Sequence, residues 1–194
     1  MKAKFFIPQS WKNQWMKPMI NLFDYVPTKY NANEREKQIR KFIWDFKDGK
    51  RSKAAACLVA QKIAEKFGSF AENLVLVCIP ASSAEKTEVR YKEFSAEVSR
   101  LCGCTDGYNF VHVDGNRLAI HESKQGKHVE NTEVITFNSS FFNGKRVLLF
   151  DDILTQGHSY ARFACALENL GAEVVGGYFL GKTVFGYTDN NRYN

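Results

Sequence analysis

The sequence predicts an α/β fold: a parallel β-sheet flanked by helices, with a small hood over one edge. Three observations predict it. Residues 74–79, Leu74-Val75-Leu76-Val77-Cys78-Ile79, are apolar at every position, as a strand buried on both faces must be. Residues 147–150, Val147-Leu148-Leu149-Phe150, form a second short apolar run, and two adjacent acids, Asp151 and Asp152, follow it directly. Around these runs apolar residues recur at helical spacing. Strand and helix therefore alternate, the order that builds a parallel sheet with its ligand at the carboxyl ends of the strands.

Residues 1–32 set Trp11, Trp15, Phe23, Tyr25 and Tyr30 among prolines at 8, 18 and 27. Proline spacing forbids a long helix, so an irregular aromatic arm wrapped over the core is expected, with partner docking as the sharper alternative. Asn33 and Glu36 have the spacing of a capping box, and Ile39, Phe42, Ile43 and Phe46 behind them make one apolar stripe ended by Gly49. Ser52 is read as the cap of a second helix over 53–67, with Ala55, Leu58, Val59, Ile63 and Phe67 inward and Gly68 as its stop. Pro80-Ala81-Ser82-Ser83 breaks the first core strand. Residues 89–101 then read as a helix through Phe94, Val98 and Leu101, stopped by Gly103.

Residues 105–133 are long, polar and without strong periodicity, which marks a functional lid or an unstructured loop. Residues 134–137 form a plausible strand, and Asn143-Gly144 is a turn feeding the second core strand. After it, Phe163, Ala166, Leu167 and Leu170 face the core, Gly171 caps, and residues 174–180 make the last strand. The tail from Thr188 is expected to be loosely ordered.

The chemistry concentrates in residues 147–159. Thr155, Gln156, Gly157, His158 and Ser159 form a hydroxyl-and-glycine loop that leads into a helix. Backbone N–H groups of such a turn and of the helix end behind it cradle an anion, and Thr155 and Ser159 add hydroxyl donors. Asp151 and Asp152, acceptors only when ionised, suit vicinal sugar hydroxyls or a divalent cation. One stretch is thus suited to both ends of a sugar phosphate. The alternative is a buried strand followed by a solvated Asp-Asp turn.

This stretch resembles the 5-phosphoribosyl-1-diphosphate (PRPP) binding motif of type I phosphoribosyltransferases. The resemblance implies that Asp151 and Asp152 take the ribose hydroxyls, directly or through Mg²⁺, and that residues 155–159 hold the 5′-phosphate. One of the two acids is also implied to lie near the accepting nitrogen. It implies further that the loop at Ala81, Ser82 and Ser83 holds the diphosphate through backbone N–H groups, with an unusual peptide geometry there. A basic loop is implied to close over the diphosphate, with Lys124 and Lys127 as catalytic candidates beside His128 and, more weakly, Arg117. Residues 35–182 are similar to the ComF (competence protein) branch of that family, through the helix pair at 39–67 and the segment Arg90-Tyr91-Lys92-Glu93-Phe94-Ser95-Ala96-Glu97. Two departures stand out. No cysteine precedes Cys57, where that branch carries a zinc module, and Tyr91 replaces the glycine of its Arg-Gly-Phe segment.

Three functions are carried forward. The first is transfer of ribose 5-phosphate from PRPP to a nitrogen nucleophile with release of pyrophosphate, with Mg²⁺ as cofactor, in cytoplasmic nucleotide metabolism. The second is a module that binds PRPP or a nucleotide without turnover. The third is a ComF-like DNA-handling accessory. Composition bounds these readings: 194 residues at 44% hydrophobic suit one domain, and no apolar run is long enough for a membrane span. The start of the chain does not read as a signal peptide. Of the net charge of +6, residues 29–66 supply the excess, with 11 Lys/Arg against 5 Asp/Glu. That segment is a candidate surface for nucleic acid or an acidic partner, against the plainer reading of a solvated helix face. Five cysteines, an odd number without a C-x-x-C, read as reduced and buried; Cys102-Gly103-Cys104 is a weak metal candidate lacking a second ligand pair. A homodimer is a further expectation.

Overall fold

The structure, a computed structural model, describes residues 7–114 and 134–184. The described residues open with a short helix α1 (Gln9–Trp15) and a strand β1 (Met19–Tyr25), where the sequence suggested an irregular arm. β1 pairs in parallel with the last of the described strands and forms one edge of the main sheet. Helix α2 (Glu34–Lys47) begins at the expected capping box: Glu36 N donates to Asn33 Oδ1 at 2.9 Å, and Asn33 N donates to Glu36 Oε2 at 2.7 Å. Helix α3 (Ser52–Phe67) starts one residue earlier than expected. Arg51 holds the cap position, and Ser52 donates its hydroxyl to Gly49 O at 3.3 Å instead.

Strand β2 (Leu74–Cys78) is buried throughout. Helix α4 (Ala84–Cys102) gains a first turn that apolar spacing could not reveal, because residues 84–88 are small or polar. Ser83 caps it by accepting from Lys86 N, and Gly103, at φ 77°, ends it as expected. Of its expected inward residues, Phe94 and Val98 are buried, but Leu101 is 41% exposed. A two-residue strand β3 (Thr105–Asp106) follows, then a separate antiparallel ribbon of β4 (Val111–Asp114) and β5 (Val134–Phe137). After the one-turn helix α5 (Ser139–Phe142) come β6 (Arg146–Leu154), α6 (His158–Glu168) and β7 (Glu173–Thr183).

The main sheet has the order β1-β7-β6-β2-β3, with every pairing parallel. Alternation along β6 divides the core into two layers. Leu148 and Phe150 meet Ile43, Phe46, Val59, Ile63, Tyr91 and Phe94 of α2, α3 and α4. Val147 and Leu149 meet Phe142, Phe163 and Leu167 of α5 and α6 on the other face. Gly177 of β7 lets α6 lie close, since a Cβ there would come within 2.8 Å of the Tyr160 ring. Cysteine burial divides differently from the expectation: Cys78 and Cys104 are buried, but Cys57 is exposed.

An aromatic knot joins the C-terminal end of α2, the middle of α4 and β6. Phe46 packs edge-on against Phe94 at 5.1 Å and Phe150 at 5.9 Å. Phe46→Ala opens a cavity between both helices and β6, and is expected to cost about 3–5 kcal/mol in urea unfolding monitored by circular dichroism.

Candidate functional site

β6 runs through the acid pair rather than stopping before it. Asp151 and Asp152 are therefore successive strand residues and point to opposite faces. Asp152, 6% exposed, turns toward the α2/α4 layer. Its Oδ2 accepts a hydrogen bond from Arg90 Nη1, and Lys47 Nζ lies 3.4 Å from its Oδ1. Arg90 and Lys47, from two different helices, thus neutralise an otherwise costly buried carboxylate.

Asp151 is half-buried and looks the other way. Its Oδ1 accepts from Tyr91 Oη at 3.1 Å and from Asp152 N at 2.8 Å. Burial first, and then the Asp152 charge, push its carboxyl up to about 7, against the pull of those two donors and of Lys47. Burial followed by the Asp152 and Asp151 charges also holds the Tyr91 phenol well above its ordinary range, so it serves Asp151 as a donor.

Asp151 stands between two clefts. The larger, of about 320 Å³, is lined by Asp151, the 155–159 loop and Phe179. The smaller, of about 150 Å³, is lined by Pro80, Ala81, Ser82, Ile135, Arg162 and again Asp151 and Ser159. Asp151 and Ser159 are common to both. The sequence-predicted loops at 80–83 and 155–159 thus meet at one acid on the carboxyl edge of the sheet.

The loop after β6 keeps an open helix end. Gly157 takes φ 73°, a left-handed conformation that favours glycine, and among the described residues no side chain caps α6. The first turn of α6 carries no acidic residue. Such an end concentrates unsatisfied N–H groups and positive dipole, which suits an anion. Trp15 supports it from the N-terminal segment: its Nε1 donates to Gly157 O at 3.0 Å, and the Trp11 and Trp15 rings lie 5.6 and 5.7 Å from the His158 ring. Thr155 and Gln156 are exposed, and Thr155 Oγ1 pairs with Thr183 Oγ1 at 2.9 Å.

The 80–83 loop is partly occupied by its own structure. Ala81 N donates to Thr87 Oγ1 at 3.0 Å, and Ser83 is committed to capping α4. Ser82 Oγ lies 3.4 Å from Lys86 Nζ. All described peptide bonds are trans, so the unusual geometry implied by the resemblance is not found there. Lys124, Lys127, His128 and Arg117 lie outside the described residues.

Reading the sequence missed Arg90, Tyr91, Lys47, Trp15, Lys86 and Arg162 as members of this region. Two of them had a local signal. Lys86 falls four residues after Ser82, and Arg162 three after Ser159, the spacings that share a helix face. Arg90 and Tyr91 stood in the segment similar to the ComF branch, but nothing local tied them or Lys47 to the acids, which are distant in sequence.

A metal bridging both carboxylates does not fit, since each oxygen of Asp152 already faces a cation. Among the described residues no group of three or more potential ligands comes together. Nor is any described helix long and apolar enough to cross a membrane.

The class defined by fold and site is a parallel α/β protein with a glycine-containing loop and a helix start at the carboxyl edge of its sheet. Its sequence is similar to the orotate phosphoribosyltransferase of Wolinella succinogenes, 28% identical over 120 residues. That alignment covers 61% of this chain and 46% of the relative, so the chain spans about half the relative's length. Among solved structures, a purine phosphoribosyltransferase from Pyrococcus horikoshii aligns with a TM-score of 0.37 at 16% identity, covering 73% of this chain and 91% of that one. A hypoxanthine-guanine phosphoribosyltransferase from Bacillus anthracis aligns with a TM-score of 0.38 at 14% identity, covering 73% and 74%. No protein-family model matches the sequence.

The raised Asp151 carboxyl makes a pH prediction. From about pH 4 to 7 the folded state binds more protons at Asp151 than the unfolded state, so its contribution to stability falls as pH rises through that window. Asn at this position keeps an acceptor for Tyr91 and removes the buried charge. Asp151→Asn is expected to raise Tm at pH 8 by roughly 3–6 °C, from about 1–2 kcal/mol after discounting for solvent access, and by less at pH 5. Calorimetric melts at the two pH values check it.

Proposed function

We propose that this chain is a type I phosphoribosyltransferase, transferring ribose 5-phosphate from PRPP to a nitrogenous acceptor with release of pyrophosphate. The observation that carries the proposal is the single acid, Asp151, set between an open helix-end cradle and a second loop-lined cleft. PRPP has this layout, with a phosphate at one end, a diphosphate at the other and two hydroxyls between. Similarity to a curated phosphoribosyltransferase supports the same class.

In the proposed reaction the bond from the anomeric carbon to the diphosphate oxygen breaks. A bond to the acceptor nitrogen forms, and that nitrogen loses its proton. Positive charge builds on the sugar and negative charge on the diphosphate, so catalysis consists of holding the sugar and stabilising both charges. Asp151 accepts from the ribose hydroxyls and faces the developing positive charge. Residues 155–159 receive the 5′-phosphate. Ser82, with Lys86 and Arg162 beside it, receives the diphosphate, and Lys124 and Lys127 belong to the loop proposed to close over it. Asp152 acts indirectly, by fixing Arg90 and the strand end. Mg²⁺ enters with the diphosphate as part of the substrate. The cytoplasm, where the chain's thiols stay reduced, is the proposed location.

One observation favours a second reading, binding without turnover: the pairing of Asp152 with Arg90 and Lys47 leaves one acid at the sugar instead of two. The ComF-like role in DNA handling has weaker support. In the basic segment, Lys37, Lys41, Lys50, Arg51, Lys53 and Lys62 each face a carboxylate, which breaks up the cationic surface that a phosphate backbone would need.

Calorimetric titration of PRPP with Mg²⁺ tests the proposal. Saturable heat is expected in the wild type, weakened at least tenfold in Asp151→Asn, and a silent titration at several temperatures would overturn it. Pyrophosphate release over a panel of purine and pyrimidine bases then separates the two readings. Release with any base supports transfer; tight binding with no release supports a sensor.

A further inference from the structure

Cys102 and Cys104 flank the residue that ends α4, at the end opposite to the candidate site. Gly103 takes φ 77° and ψ 2°, the left-handed C-cap that turns the chain out of the helix. The turn brings the two side chains together, with their Sγ atoms 3.2 Å apart, about 1.2 Å beyond a disulfide bond. Glycine suits this position for a second reason: a Cβ at 103 would come within 3.2 Å of Glu72 Cγ. The two thiols also differ in access. Cys102 is half-buried, while Cys104 is 6% exposed and lies 3.6 Å from Ser99 Oγ.

We propose that the Cys102-Gly103-Cys104 turn is a thiol–disulfide exchange site whose substrate is a small aliphatic disulfide. Access decides the order of events. Cys102 Sγ, as thiolate, attacks one sulfur of the substrate; the substrate S–S bond breaks, and its other half leaves as a thiolate that takes up a proton. Cys104 Sγ then gives up its proton and attacks Cys102 Sγ in the mixed disulfide, and the second half leaves as a thiol. One dithiol and one disulfide become one intramolecular disulfide and two small thiols, with two electrons passing to the substrate. The electrostatics agree with these roles. The Sγ–Sγ hydrogen bond between them brings the Cys102 thiol down to about 6, whereas the same contact and burial push Cys104 up. A disulfide between residues two apart closes a small, strained ring, and strained disulfides are readily reduced. The site therefore runs in both directions with the thiol pool.

The test uses the full chain, reduced and then equilibrated with oxidised glutathione, with alkylation and peptide mapping as readout. In the wild type, Cys102 and Cys104 are expected to lose alkylation together and to appear joined within one peptide, reopening with excess reduced glutathione. Cys104→Ser should accumulate glutathione on Cys102, at least tenfold more than Cys102→Ser accumulates on Cys104. Alkylation of Cys102 in the wild type should reach half its maximal rate near pH 6. Persistent alkylation of both cysteines, a wild type that stops at the mixed disulfide, or an alkylation half-point near the ordinary thiol pKa of about 8.5 would overturn the assignment. The wild-type measurements hold even if a variant fails to fold.

Discussion

Successive residues of a strand point to opposite faces, and the site depends on where that rule sends two adjacent acids. Because β6 continues to Leu154, Asp152 is carried into the layer formed by α2 and α4. A lone carboxylate there would be costly to ionise, and Arg90 with Lys47 offsets the cost. Removing one partner from such a pair typically costs about 3–5 kcal/mol, so the pair locks two helices to the end of the central strand. Among the described residues Arg90 Nε has no acceptor.

With Asp152 committed inward, Asp151 is the acid left at the edge. Tyr91, next to Arg90 on α4, reaches over the strand end to donate to it, so one turn of α4 orients both carboxylates. The opposite wall depends on the N-terminal segment. Gly157 O accepts from Ala161 N at 2.9 Å, as a helix start requires, and from Trp15 Nε1 as well. Because a peptide unit is planar, fixing that carbonyl also fixes the next N–H, that of His158, pointing the opposite way. The N-terminal segment, which supplies an edge strand, therefore also stiffens the loop proposed to take phosphate.

Several elements were legible in the sequence because their signals are local. Asn33 and Glu36 make a capping box three residues apart, Gly103 and Gly157 sit where left-handed turns fall, and 74–79 is apolar without interruption. β1 was hidden because it is an edge strand whose residues are mostly half-buried, so Met19–Tyr25 shows no clean alternation. Its partner, β7, lies at the far end of the chain. The start of α4 was hidden because residues 84–88 cap and solvate the helix and leave no apolar stripe, although Ser83 carried a cap signal. The acid pair was visible at once, but not its division. Whether a strand ends before or after Asp151 is decided by Arg90, which lies 62 residues from Asp152.

That division bears on which acid could do chemistry. A carboxylate already neutralised by two cations gains little when positive charge appears nearby, because its field is largely cancelled. Asp151 is in the opposite condition: its charged form is disfavoured by burial and by Asp152, and its carboxyl is held near 7. Positive charge developing on a bound sugar would relieve that penalty as the reaction proceeds, and would do so more fully in the transition state than before it. Stabilisation that grows along the reaction coordinate is the kind that accelerates a reaction. On the proposed reading, the buried Arg90–Asp152 pair thus serves catalysis without touching substrate: it fixes the strand end and leaves Asp151 as the acid that responds to the substrate's charge.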